Sequence, residues 1–179
     1  MLTCNAAQDE PVRCNGEANG VATVTPTGGN GGYSFLWDNG EMTATATALN
    51  AGPHTVTVTD SKGCLTSCQV DIAEPSILTC NAAQDEPVRC NGEANGVATV
   101  TSTGGNGGYS FLWDNGEMTA TATALNAGPH TVTVTDSKGC LTSCQVDIAE
   151  PPVLTCNACL LYTSPSPRDQ RGSRMPSSA

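Results

Sequence analysis

Apolar and polar residues alternate with a period of two along most of the first half of the chain, and clusters of Gly, Pro, Asn and Asp interrupt the alternation. Residues 33–37 give the cleanest run, with Tyr33, Phe35 and Trp37 on one face and Ser34 and Leu36 on the other, the period of a half-buried strand. This run holds most of the aromatic material around it and is predicted to be the central strand of the core. Residues 54–60 repeat the pattern, with Val56 and Val58 inward beside His54 and with Thr55, Thr57 and Thr59 outward. Residues 64–72 carry Cys68, Val70 and Ile72 on one face. Over 42–49, Ala44, Ala46 and Ala48 alternate with Thr43, Thr45 and Thr47. Alanine favours helix, but a strict period of two with threonine on the other face predicts a strand. Shorter strands are predicted over 1–5, around Leu2 and Cys4, and over 21–25, with Ala22 and Val24 inward.

The interruptions have turn chemistry. Residues 5–20 read as a polar loop around Cys14, and 27–32, with four glycines and an asparagine, as a flexible connection that no helix would tolerate. A phosphate-binding loop would need a following helix and a terminal Lys-Ser or Lys-Thr, which this run lacks. Asp38-Asn39-Gly40 and residues 50–53 are turns, and Asp60-Ser61-Lys62-Gly63 closes a hairpin with Gly63 placed for positive φ. Six short strands so punctuated predict a small β-sandwich.

Everything described so far occurs twice. Thr79 to Leu154 repeats Thr3 to Leu78 with a shift of 76 residues and three differences: Pro26 against Ser102, Ser76 against Pro152, and Ile77 against Val153. The predicted core Tyr33, Phe35, Trp37, Val56 and Val58 therefore returns as Tyr109, Phe111, Trp113, Val132 and Val134. A third copy opens at Thr155 and stops after Ala158. The expected organisation is module one over 1–76, module two over 77–152, a truncated start over 153–158 and a disordered tail over 159–179. The tail departs from the repeat in charge and Pro content and resembles translated sequencing-adaptor read-through. Its Arg168, Arg171 and Arg174 are assigned no function. The linker is so short that successive modules should form a fairly stiff rod.

Sixteen of the 17 acidic residues and four of the seven basic ones fall in the two copies, and the chain carries a net charge of −10. Such a surface repels phosphate backbones, which excludes nucleic acid as a partner. No run approaches the 18 or so apolar residues of a membrane span, so no direct membrane insertion is expected. No signal peptide precedes the first module, and the chain reads as an internal piece of a longer protein.

Each module carries four cysteines: Cys4, Cys14, Cys64 and Cys68 in the first, Cys80, Cys90, Cys140 and Cys144 in the second. A module of this size buries too little to stand on its core alone, and an even cysteine count in a Gly- and Thr-rich module reads as a disulfide framework in an oxidising compartment. Zinc is disfavoured because Cys4 and Cys14 lie too far apart for a knuckle. Four cysteines allow three pairings. The expected one is nested, Cys14 to Cys64 and Cys4 to Cys68, repeated as Cys90 to Cys140 and Cys80 to Cys144, because it ties the first segment of the module to its last strand.

Cys14-Asn15-Gly16, Gly20 with Ala22-Thr23-Val24, the glycines before Tyr33, Trp37, Asn39-Gly40, Thr47, Leu49, Gly52, Val56-Thr57-Val58-Thr59-Asp60 and Gly63-Cys64 occur in that order. Together they resemble the SprB repeat, a family of immunoglobulin-like tandem modules in very large secreted surface proteins of gliding and adhesive bacteria of the Bacteroidetes type. The series returns in the second copy through Cys90, Tyr109, Trp113, Asn115, Gly116, Val132, Val134, Asp136 and Cys140. The resemblance implies an immunoglobulin-like sandwich, a segment of a cell-surface adhesin or filament, and no catalytic residue. The chain departs from the family in its outer pair, Cys4 and Cys68, and in His54, where the family commonly has an aromatic.

Searches for chemistry lead the same way. The two histidines, His54 and His130, are one position repeated inside a Val-Thr strand, and no serine has a catalytic motif around it. No cofactor is expected. Asp9, Glu10, Asp38, Glu41, Asp60, Asp71 and Glu74 lie in or near loops and could supply oxygens to a structural calcium, but they form no Asp-x-Asp-x-Asp-Gly loop. The expectation is therefore a non-enzymatic spacer or adhesive stalk whose partners are further tandem repeats. The alternative is an array that binds surface polysaccharide or another cell surface.

Overall fold

The computed structural model describes residues 1–156. The tail over 159–179 and the last two residues of the third copy lie outside the described residues. The first unit contains β1 (Leu2–Glu10), β2 (Gly20–Gly28), β3 (Ser34–Trp37), β4 (Thr45–Leu49), β5 (Gly52–Thr59) and β6 (Leu65–Ile72). The second repeats them as β7 (Thr79–Glu86), β8 (Gly96–Thr103), β9 (Ser110–Trp113), β10 (Thr121–Leu125), β11 (Gly128–Thr135) and β12 (Leu141–Ile148). Each unit is a sandwich of two antiparallel three-stranded sheets, β1-β2-β4 facing β3-β5-β6, and β7-β8-β10 facing β9-β11-β12.

The alternation read from the sequence places the core where the two sheets meet. Ala22, Val24, Trp37, Val56, Val58, Val70 and Ile72 are buried, as are their counterparts in the second unit. Tyr33 and Phe35 are half-buried against this cluster. The aromatic strand is not central, however. β3 pairs only with β5 and forms a sheet edge, as β9 does. With four residues it is too short to template strands on both sides, and the eight-residue β5 takes that position. Trp37 still fills the core, with its indole N–H donating to the Thr43 carbonyl at 2.9 Å.

Two further elements differ from expectation. The first strand runs to Glu10, where a loop was predicted from residue 5, because Leu2, Cys4 and Ala6 keep the period of two while the intervening polar residues face solvent. Its end is bulged between Gln8 and Glu10. The strand predicted over 42–49 is reduced to β4. Gly20 pairs with Leu49 but Ala22 with Ala46, so a bulge falls at Thr47 and Ala48. The bulge turns Leu49 into the core and leaves Ala48 exposed. The freed N–H groups of Thr47 and Ala48 donate to the Glu41 carboxylate at 3.1 and 3.2 Å.

The loop over 11–19 sits at one pole of the unit. Val12, almost wholly buried, donates its N–H to the Ala73 carbonyl just beyond β6, at 2.9 Å. The β5–β6 turn, which carries Cys64, sits at the opposite pole, since the β5–β6 ladder runs from Gly52 opposite Ile72 to Thr59 opposite Leu65. Each unit therefore has its Cys14-type cysteine at one end and its Cys64-type cysteine at the other.

Candidate functional site

The chemistry of the chain concentrates where the trailing pole of the first unit meets the leading pole of the second. On the trailing side the 11–19 loop is folded onto the linker. Arg13 N–H donates to Asn19 Oδ1 at 2.8 Å, Asn15 Nδ2 to the Pro75 carbonyl at 3.0 Å, and Gly16 N–H to Glu74 Oε2 at 2.9 Å. Gly16 has φ of 81°, which a glycine takes without strain. These bonds hold Cys14 toward the next unit.

On the leading side one carboxylate organises two loops. Asp136 Oδ1 accepts from the N–H groups of Lys138 and Cys140 at 2.9 and 3.0 Å, and Oδ2 accepts from Asn106 N–H and Nδ2 at 2.8 and 2.9 Å. Asn106 Nδ2 also donates to the Arg13 carbonyl of the first unit at 2.9 Å. Gly105 N–H reaches the Ser76 carbonyl of the linker at 2.9 Å. Cys14 and Cys140 are joined in a disulfide across this junction, with Cα atoms 5.6 Å apart.

That bond corrects the nested pairing. Cys4–Cys68 and Cys80–Cys144 are disulfides within their units, with Cα–Cα distances of 5.9 Å, and each staples an edge strand of one sheet to an edge strand of the other. Cys14 does not pair with Cys64, nor Cys90 with Cys140. The reason is distance. An eight-residue strand separates the two poles by roughly 25 Å, against a Cα separation of at most about 7 Å for a disulfide. End-to-end stacking brings Cys14 to Cys140 instead and leaves Cys64 and Cys90 as exposed thiols. Cys156 is exposed and unbonded as well.

The remaining loop carboxylates are engaged within their own unit. Asp60 repeats the Asp136 pattern, accepting from Lys62 N–H, Cys64 N–H, Asn30 N–H and Asn30 Nδ2. The Cys64 N–H, followed by the side chain of Asn30, holds its carboxyl far below the usual aspartate range, against the opposing effect of burial. At Asp136 burial pushes the pKa up, but the N–H groups of Asn106 and Cys140 outweigh it and hold the carboxyl at about 2. Asp9 accepts from the Thr23 hydroxyl at 2.6 Å. His54 Nδ1 lies 2.9 Å from Asp38 Oδ1 and Nε2 3.0 Å from the Asn50 carbonyl. Burial opposes a charge on this ring, but two acceptors, one of them a carboxylate, raise its pKa above the ordinary value. Among the described residues no three His, Cys, Asp or Glu side chains group as a metal site would require. The acids weighed above as calcium ligands at positions 9, 38, 41, 60 and 74 spend their oxygens on backbone and side-chain donors.

Sequence reasoning missed Val12, Asn106 and the organising role of Asp60 and Asp136. The Asp-Ser-Lys-Gly turn is visible in the sequence. Its bond to an asparagine 30 residues earlier is not.

The SprB repeat model matches residues 3–42 and 82–118, one stretch in each unit. Each unit thus carries a stretch similar to the SprB repeat. The matches support structural, non-enzymatic modules of a bacterial surface protein. No curated protein matches the chain. Among solved structures, the three N-terminal domains of the Highly Immunogenic Outer Capsid protein of bacteriophage RB49 align over 83% of this chain and 58% of theirs, at 18% identity and a TM-score of 0.50. A C-terminal 282-residue fragment of intimin, in complex with the intimin-binding domain of the translocated intimin receptor, aligns over 83% of this chain and 64% of its own, at 17% identity and a TM-score of 0.41. The chain thus spans less than two thirds of either structure. The capsid-protein likeness establishes the tandem immunoglobulin-like fold alone. Among the described residues no helix is long and apolar enough to cross a membrane.

Proposed function

We propose that these modules are SprB-type repeats and form a segment of a repetitive stalk in a large secreted cell-surface protein of the adhesin or gliding-filament kind, and that the number of modules sets its reach. The module boundaries are taken at 1–76 and 77–152. The observation that carries the reading is the junction: two near-identical units are stacked end to end and fixed by the Cys14–Cys140 bond, the Asn106 to Arg13 hydrogen bond and the linker contact at Gly105. A display domain tethered for its own binding activity would need no such fixation. Rigid stacking gives every added unit a constant increment of length.

A second reading has support from the surface. Thr25, Thr27, Thr43 and Thr47 are exposed on the first unit and could face a polysaccharide. Small-angle scattering and glycan binding on chains of increasing copy number separate the two. A spacer gives a maximum dimension that rises linearly with copy number and no glycan binding at any length. Binding that strengthens steeply with copy number would replace the spacer reading with a multivalent binder.

A further inference from the structure

We infer that Cys64 and Cys90 are the two open halves of the same inter-module disulfide, and that the poles carrying them are docking faces for further copies of this module placed by the same short linker. The inference rests on reading the chain as part of a repeat array. Cys90 is the counterpart, 76 residues on, of Cys14, and Cys64 is the counterpart of Cys140. One pair of these positions is bonded across the junction, while the other two are exposed thiols at the two outer poles.

The outer poles are built like the inner ones. Around Cys90, Val88 N–H donates to the Ala149 carbonyl, Asn91 Nδ2 to the Pro151 carbonyl and Gly92 N–H to Glu150 Oε2, which are the bonds that present Cys14. Around Cys64, Asp60 gathers the N–H groups of Lys62, Cys64 and Asn30 as Asp136 gathers theirs. Only what a neighbour would supply differs. Asn106 has the Arg13 carbonyl, while Asn30 donates only to its own Asp60. Cys140 is buried and Cys64 exposed, and Gly104 and Gly105 are partly covered where Gly28 and Gly29 are open. Both thiols are thus presented in the geometry of a bond already made once. Their poles lie at opposite ends of the molecule, so they cannot bond to each other within one chain. This is a head-to-tail contact that continues as a line and does not close.

Forming the bond takes two thiols to a disulfide and releases two electrons and two protons. A disulfide oxidant, such as oxidised glutathione or a thiol–disulfide oxidoreductase, accepts them. One thiolate attacks the oxidant to give a mixed disulfide, the second displaces the oxidant's thiolate, and the oxidant leaves as two thiols. In the resulting array each module carries one internal bond and shares one bond with each neighbour.

The test extends the full chain by one module in each direction. In one variant a further copy of residues 77–152 is inserted after Pro152; in the other a copy of residues 1–76 precedes the first unit. Both are folded with oxidised and reduced glutathione and mapped without reduction. The first is expected to join Cys90 to the inserted copy's counterpart of Cys140, and the second to join Cys64 to the added copy's counterpart of Cys14. Cys14–Cys140 in the same map reports that the chain folded. Cys90 remaining a free thiol in the first variant, or Cys64 in the second, beside an intact Cys14–Cys140 bond overturns the inference, as does Cys90 paired with Cys140. The map does not depend on whether the stalk binds glycan, so failure of the spacer reading would leave this outcome unchanged.

Discussion

Asp60 and Asp136 show how single residues hold a module with little apolar mass. Each carboxylate ties the β-turn at its own pole to the glycine-rich connection through four hydrogen bonds. Asp136 holds its proton only at about 2, against 3.8 for a free aspartate. A depressed carboxyl stabilises the folded state fully above its unfolded value, and the contribution is lost as pH falls through the folded value. The melting temperature is therefore expected to drop between roughly pH 4 and pH 2. Asp136→Asn should lower the melting temperature at pH 6 and flatten this acid limb, as scanning calorimetry between pH 6 and 2 would read. An unchanged acid limb in the variant would remove Asp136 from this role. The aspartate was visible in the sequence as part of a tight turn, but its partner Asn106 was not, because side-chain bonds between loops have no period. The buried Ser102 hydroxyl, where the first unit has Pro26, has no hydrogen-bond partner, and nothing in the structure explains the exchange.

At the scale of the element, the strands whose alternation is strict were legible. β5 and β6 lie within a residue or two of their predicted limits, because one face of each is the core. β1 was half-read: beyond Cys4 its inward residue is the small Ala6, and the polar Gln8, Asp9 and Glu10 mask a strand whose pairing with β2 is continuous to a bulge. β3 was placed correctly in sequence and wrongly in space, since aromatic mass marks burial and not rank within a sheet. The Cys4–Cys68 bond joins the edges β1 and β6 and closes the sandwich on that side. Removing it with Cys4→Ser and Cys68→Ser should destabilise the first unit by about 2–4 kcal/mol. Urea unfolding, followed by Trp37 fluorescence in a chain with Trp113→Phe, would measure it. A loss below about 0.5 kcal/mol would mean that the sheets hold together without the staple.

For the whole molecule, the repeat and its period were fully legible, and the junction was not. Four cysteines per module invited two bonds within the module, and only the positions of Cys14 and Cys64 at opposite poles exclude the second. Those positions follow from strand order, which the sequence pattern leaves open. The Cys14–Cys140 bond turns two linked beads into one stacked pair and makes the stalk reading specific. The direct test is a non-reducing peptide map of the full chain folded under oxidising conditions. Peptides containing Cys14 and Cys140 should be disulfide-linked, with Cys4 to Cys68 and Cys80 to Cys144 alongside and with Cys64 and Cys90 alkylated as free thiols. Cys14 linked to Cys64 and Cys90 linked to Cys140 would contradict the stacked junction and return the chain to two separately closed modules.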